Sequence, residues 1–212
     1  MMLILRINRS IISLTTPFSD VLISFILATL LIIIETMQLL KQTRHPDAIS
    51  CPASTVLRTA TRAIVMRGED ILLLYTKRYD DYSLPGGGVN EGESLSDGLK
   101  RELAEETGAS DIEILEEFGL YREWRPWHKA PYKTVQMDSY CYVCRIAETL
   151  AEAQFEAHEI NNGMKALWIN IHHAIAHNHH IIQHSDRKGL SIERETYLLE
   201  LIASQLLKTG SA

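Results

Sequence analysis

The chain has 212 residues, 46% of them hydrophobic, three cysteines and a net charge of −6. That length holds one domain of about 150 residues plus an extra segment. The acidic balance argues against nonspecific binding to a nucleic acid backbone, and no cysteine pattern suggests a disulfide framework, which fits a reducing, cytoplasmic compartment.

Residues 1–36 differ from everything after them. Val21 to Ile34 is an unbroken run of apolar residues and small hydroxyls between Asp20 and Glu35. It falls short of the about 20 residues of a membrane span, which only a count from Phe18 to Leu40 reaches. Arg6 and Arg9 precede the run and Lys41 and Arg44 follow it, so the flanking charges select no orientation. No small-residue cleavage site follows directly. Three readings stay open: a signal anchor through residues 18–40, a signal that is cut off, or a working protein that starts at Met37. The last is preferred, and it implies a cytoplasmic protein that meets a membrane only if residues 1–36 are present and inserted. Residues 37–55, with Pro46 and Pro52, read as a polar lead-in, and the folded domain is expected at 56–208.

Val56 to Met66 has strand character, Arg67-Gly68-Glu69-Asp70 is a turn, and Ile71 to Tyr75 is a second strand, so the pair reads as a hairpin. Lys77 and Arg78 follow, as a solubilising strand end or as phosphate contacts. A glycine turn comes next, Leu84-Pro85-Gly86-Gly87-Gly88. From Ser94 to Thr107 the pattern is helical: Leu95, Leu99 and Leu103 recur every four residues as one apolar stripe. Ser94 can cap this helix with Asp97 as its box partner, and Gly108 stands where a left-handed stop is expected. Gly98 weakens the helix interior by up to about 1 kcal/mol relative to Ala.

Ile112 to Tyr121 reads as a strand. Arg122 to Tyr132 follows, where Pro126 and Pro131 indicate a loop. Aromatic faces stack on bases and cations hold phosphates, so Arg122, Trp124, Arg125 and Trp127 are candidates for substrate recognition; the alternative is that the two tryptophans cap the core. Lys133 to Ile146 is a long strand. It carries Cys141 and Cys144, which at a spacing of three face opposite sides and so read as buried thiols, not as a metal or redox pair. Ala151 to Ile160 is acidic and partly helical. Met164 to Ile169 is a short strand, Asn170 can cap a helix from Ile171 to His177, and Glu193 to Leu207 is an amphipathic helix with Leu198, Leu199, Ile202 and Leu206 inside. Six histidines crowd between His172 and His184. His173 and His177 have metal-pair spacing, but no carboxylate or cysteine partner stands at a recognisable distance, and the stretch reads as a solvated surface.

On the helix of residues 94–107, Glu102, Glu105 and Glu106 share one face. Only Arg101 is adjacent to relieve their repulsion. A hard divalent cation would neutralise the cluster, whereas a solvated acidic face is the plainer alternative. The glycine turn and the offsets decide between them. Gly87, five residues, Glu93, seven residues, Arg101-Glu102-Leu103, one residue, Glu105-Glu106, one residue, Gly108 and a closing apolar place filled by the small Ala109 resemble the Nudix box at every specified position.

The resemblance covers roughly Val56 to Trp168. It implies an α/β fold, the Nudix-type α/β/α sandwich with a mixed sheet, here preceded by the apolar N-terminal segment. It implies a hydrolase that cleaves a nucleoside diphosphate linked to another group, acting on a small-molecule nucleotide with Mg2+, for which Mn2+ can substitute. Carried over by position, Glu102, Glu105 and Glu106 would hold the metal, with the Gly87 carbonyl as a further ligand. Arg101 would hold the glutamates by ion pairs, and Glu93 would orient Arg101 or approach the metal. Gly86, Gly87 and Gly88 would let the backbone approach the phosphates. A box glutamate, or Glu156 or Glu159 outside it, would take a proton from the attacking water. The most favoured substrate is a (deoxy)nucleoside triphosphate or related nucleotide. The alternatives are a non-catalytic nucleotide-sensing domain, disfavoured because all four box glutamates are present, and an RNA 5′-end pyrophosphohydrolase, disfavoured by the acidic charge. A homodimer is implied by the relatives alone.

Overall fold

The computed structural model describes residues 37–207 and two short strands, β1 (Leu5–Ile7) and β2 (Ser10–Ile12). The chain divides into two units, Met1–Thr36 and Met37–Ala212. In the first, β1 and β2 pair antiparallel, Leu5 opposite Ile12. The apolar run Val21–Ile34 lies outside the described residues. Among those described, no helix is long and apolar enough to cross a membrane.

The second unit is built on two four-stranded sheets. One has the order β3 (Leu39–Arg44), β8 (Glu113–Pro126), β9 (Thr134–Arg145), β4 (Thr55–Ile64), with both outer strands parallel to their neighbours and the central pair antiparallel. In the other, β6 (Asp70–Thr76) lies between β10 (Met164–Asn170) on one edge and β5 (Met66–Arg67) and β7 (Asp81–Ser83) on the other, all antiparallel. Period-two alternation sorts these strands onto two cores. Ile64, Ile71, Leu73 and Cys141 pack with the helices α3 (Ile171–His184) and α4 (Ile192–Leu206), through Ile171, Ala174, Leu198, Leu199 and Ile202. Ala63, Val65, Leu72 and Cys144 pack with helix α1 (Leu95–Thr107), through Leu99 and Leu103. The sheets thus stand between helical layers, a mixed α/β sandwich. Cys141 and Cys144 are buried on opposite faces.

Helix α1 forms where its local signals place it. Ser94 Oγ accepts the Asp97 N–H at 3.1 Å, and Gly108 ends it in left-handed backbone at φ 70°. The remaining helix, α2 (Ala157–Asn162), is short and opens on a capping box of Glu156 and Glu159.

Four expectations are corrected. The hairpin expected from Val56 to Tyr75 is split between sheets: β4 runs parallel to β9, and only Met66–Arg67 turns back on β6. Residues 39–44 form an edge strand, with Tyr197 Oη donating to the Leu40 carbonyl at 3.2 Å, so the polar lead-in contains a sheet element and Leu39 and Leu40 belong to a strand. The loop expected from Arg122 begins only after Pro126, because β8 stays paired to β9 through Pro126 opposite Thr134. Helix α3 also continues past His177 to His184.

Candidate active site

The glycine turn is laid along the free edge of β4. Ala63 N–H donates to the Pro85 carbonyl at 2.8 Å, Thr61 N–H to the Gly87 carbonyl at 3.0 Å, and Val89 N–H to the Thr59 carbonyl at 3.0 Å. Helix α1 packs behind it through Leu99 and Leu103. These two anchors bring the box glutamates against the turn. Gly86 N–H donates to Glu106 Oε2 at 2.6 Å. A Cβ on Gly87 would stand 2.6 Å from the Glu102 carboxyl carbon, so a hydrogen at that position is what allows the approach.

Arg101 occupies the centre of the acidic cluster. Its Nε and Nη2 bind the two oxygens of Glu93 at 2.8 and 2.9 Å in fork geometry, Nη1 binds Glu102 at 2.8 Å and Glu105 at 3.3 Å, and Nη2 also reaches the Gly88 carbonyl at 3.1 Å. Hydrogen bonds from Arg101, with another from the Asn90 N–H, hold Glu93 down at about 2. Glu106 behaves oppositely. It is 5% exposed, and burial raises its carboxyl well above the usual range, against the Gly86 N–H and the charge of Arg62. Burial also raises Glu102, against the pull of Arg101.

A cavity of about 660 Å³ opens in front of this wall. Glu102, Glu106, Glu156 and Glu159 line it with the glycine turn on one side; Arg58, Arg62, Lys129, Arg194 and Glu195 complete it. Glu159 is buried, accepts the Glu156 N–H at 2.7 Å, and its charge reaches Glu106. The donor set is therefore carboxylate oxygen beside backbone carbonyls, which suits a hard divalent cation. The three box glutamates are not already gathered around one point: among the described residues no three His, Cys, Asp or Glu side chains form a ready metal cluster, and Glu105 leans on Arg101, 43% of its side chain exposed.

The other expected contacts are dispersed. Lys77 and Arg78 line a second, more open cavity with Asn162 and Arg187, where Arg78 Nη1 donates to Asn162 Oδ1 at 3.2 Å. Arg122 is forked onto Asp138, and Trp124 lies under Arg44, its strand neighbour, 4.7 Å from the ring centre; neither lines the glycine cavity. Arg125 is drawn to Glu123 at 3.7 Å. Trp127 packs on the Ala60–Val135–Met137 core and sits between Arg58 and Lys129, at 5.5 and 5.6 Å, both of them cavity residues. His177 binds the Asp80 carbonyl at 2.8 Å, so its ring is occupied by the fold.

Sequence reasoning missed Arg58, Arg62, Arg194 and Glu195. Arg194 and Glu195 are 3% and 1% exposed. Arg194 Nε and Nη2 donate to Glu195 Oε1 at 3.0 and 2.6 Å, its Nη1 pairs with Glu123, and Glu195 Oε2 accepts the Leu84 N–H at 3.0 Å, just ahead of the glycine turn. The available signal was charge out of pattern: Arg58 and Arg62 fall on the face of β4 whose other members, Val56, Ala60 and Ile64, are apolar.

A protein-family model described as the NUDIX domain matches residues 56–188. Among solved structures, the chain is similar to a nudix hydrolase family member from Chromobacterium violaceum, at 20% identity over 70% of this chain and 78% of that one, with a TM-score of 0.38. It is also similar to the E. coli ORF135 protein, at 17% identity over 74% of this chain and 98% of that one, with a TM-score of 0.46.

Proposed function

The chain belongs to the Nudix hydrolase family, whose members act on nucleoside diphosphate derivatives with divalent ions, and from that premise we propose that it cleaves the diphosphate linkage of a (deoxy)nucleoside triphosphate or related nucleotide with Mg2+. The observation that carries this reading is the contact of Glu102 and Glu106 with the backbone of Gly86 and Gly87 inside one cavity. Two desolvated carboxylates beside open backbone form a site where a cation and a phosphate chain can meet.

Glu102, Glu105 and Glu106 are the residues that would hold the ion, with the Gly87 carbonyl beside them. The ion, when bound, offsets the charge of the diphosphate and acidifies a water. Arg101 positions the glutamates, and Glu93 fixes Arg101 by its two-oxygen fork. Glu106 or Glu159 takes the proton of the attacking water: both are buried at the cavity, and the raised basicity of Glu106 suits a general base. Gly86 to Gly88 let the phosphates approach the backbone. Trp127, beside the cavity residues Arg58 and Lys129, would face the nucleobase. Lys77 and Arg78 remain candidates only for a part of the substrate that extends to the second cavity.

The test is a panel of nucleoside triphosphates, nucleotide sugars and dinucleoside polyphosphates, incubated with the purified protein and Mg2+ or Mn2+, with phosphate and pyrophosphate release measured. Divalent-dependent release from a nucleoside triphosphate supports the reading. Release only from another class moves the substrate, and none with either ion overturns the reading.

A further inference from the structure

Five cationic side chains line the glycine cavity, and among them only Arg62 is both withdrawn from solvent and short of hydrogen bonds. Arg101 is spent on Glu93, Glu102, Glu105 and the Gly88 carbonyl. Arg194 is spent on Glu123 and Glu195. Arg58 and Lys129 sit over Trp127. Arg62 differs. It stands near the end of β4, 13% exposed at its side chain, and Nη1 donates to the Gly86 carbonyl and, at 3.3 Å, to that of Thr61. A guanidinium has five N–H donors. The hydrogen bonds described for Arg62 both leave from Nη1, and Nε is a buried donor without a hydrogen bond, 3.7 Å from Glu195 Oε1. A buried donor left unpaired is destabilising, so a strand position that retains one calls for an explanation.

Charge leads to the same residue. Arg62 Nε lies 3.7 Å from Glu195 Oε1, an oxygen that already accepts from Arg194 Nε and Nη2. Arg62 is also the arginine whose field reaches both Glu102 and Glu106. It is fixed from two sides, by Gly86 on the turn and by Glu195 on α4, and an immobilised planar guanidinium is suited to phosphate oxygens.

Resting on the reading of this site as a nucleotide pyrophosphohydrolase, we propose that Arg62 is its phosphate-binding arginine, offering its Nη2 donors to the phosphate that lies against Glu102 and Glu106. Glu195 is the positioning residue that aims it.

The test uses the full chain and two variants, Arg62→Gln and Arg62→Lys, checked by thermal melting. Calorimetric binding of inorganic pyrophosphate in Mg2+ is measured beside Mn2+ binding without pyrophosphate. The expected result is at least about a tenfold loss of pyrophosphate affinity in Arg62→Gln and a smaller loss in Arg62→Lys, with Mn2+ affinity unchanged within twofold. A purely architectural arginine would move both affinities together, and that outcome overturns the assignment, as does unchanged pyrophosphate binding. If Arg62→Gln does not fold, Arg62→Lys decides: unchanged pyrophosphate affinity in it rejects the proposal. Pyrophosphate binding that depends on Arg62, in a protein that turns over no nucleotide, would leave this assignment standing while the hydrolase reading fell. Failure of wild-type protein to bind pyrophosphate would reject the Arg62 assignment.

Discussion

Gly87 and Glu102 meet so closely that the glycine's missing side chain is a requirement of the site: an added Cβ would lie 2.6 Å from the carboxyl carbon and 2.6 Å from Oε2. The obstructing atoms are the far end of a flexible side chain, so the fold can yield by swinging Glu102 aside. Gly87→Ala is therefore expected to melt within a few degrees of wild type yet to lose at least about tenfold in turnover, with weaker Mn2+ binding. Full activity in that variant would show that Glu102 need not touch the turn.

Glu106→Gln separates function from stability. Burial keeps the Glu106 carboxyl well above the usual range, so at neutral pH its ionised form is disfavoured in the folded protein and costs stability. Glutamine removes that cost and can still accept the Gly86 N–H. Turnover is expected to fall on the order of 10²-fold or more, while the melting temperature in chelator rises. A variant that loses stability at neutral pH would contradict the desolvation argument.

Asp81, on the short strand β7, offers a stability test away from the site. Burial, followed by the charges of Glu195 and Asp80, raises its carboxyl from 3.8 to about 6. A folded value above the unfolded one means that protonation favours the native state. This contribution is lost as pH rises from about 4 through about 6 and is absent above it. Ionised Asp81 thus costs up to about 3 kcal/mol at pH 7 or above. Asp81→Asn is expected to stabilise at pH 7.5 and to be nearly neutral at pH 4, as read by urea denaturation at both.

The Arg194 pair with Glu123 and Glu195 is the most deeply buried charge network described. Burial opposes ionisation of Glu195, yet Arg194 and Arg62 hold it below the usual carboxylate range. Arg194→Met leaves two buried carboxylates short of their partner, which costs about 3–5 kcal/mol and lowers the melting temperature on the order of 10 °C. A small shift would mean that water reaches the network.

What could be read in the residues alone was whatever depends on near neighbours. The cap at Ser94, the leucine stripe, the stop at Gly108 and the shared face of Glu102, Glu105 and Glu106 are all set within one or two helical turns, so spacing is enough to predict them. The same locality exposed the family, because the box is one uninterrupted segment. Pairings between distant segments were not legible. Residues 39–44 are polar on one side and become a strand because β8 offers a parallel edge. Arg122 to Pro126 look like a loop until β9 supplies partners. Glu123 meets Arg194 across 71 positions, and no periodicity carries such a distance. Chain order thus set the acids and their helix, while only tertiary packing decided that a strand arginine and the last helix would close the cavity in front of them, since burial and charge pairing are properties of surfaces brought together and not of segments taken singly.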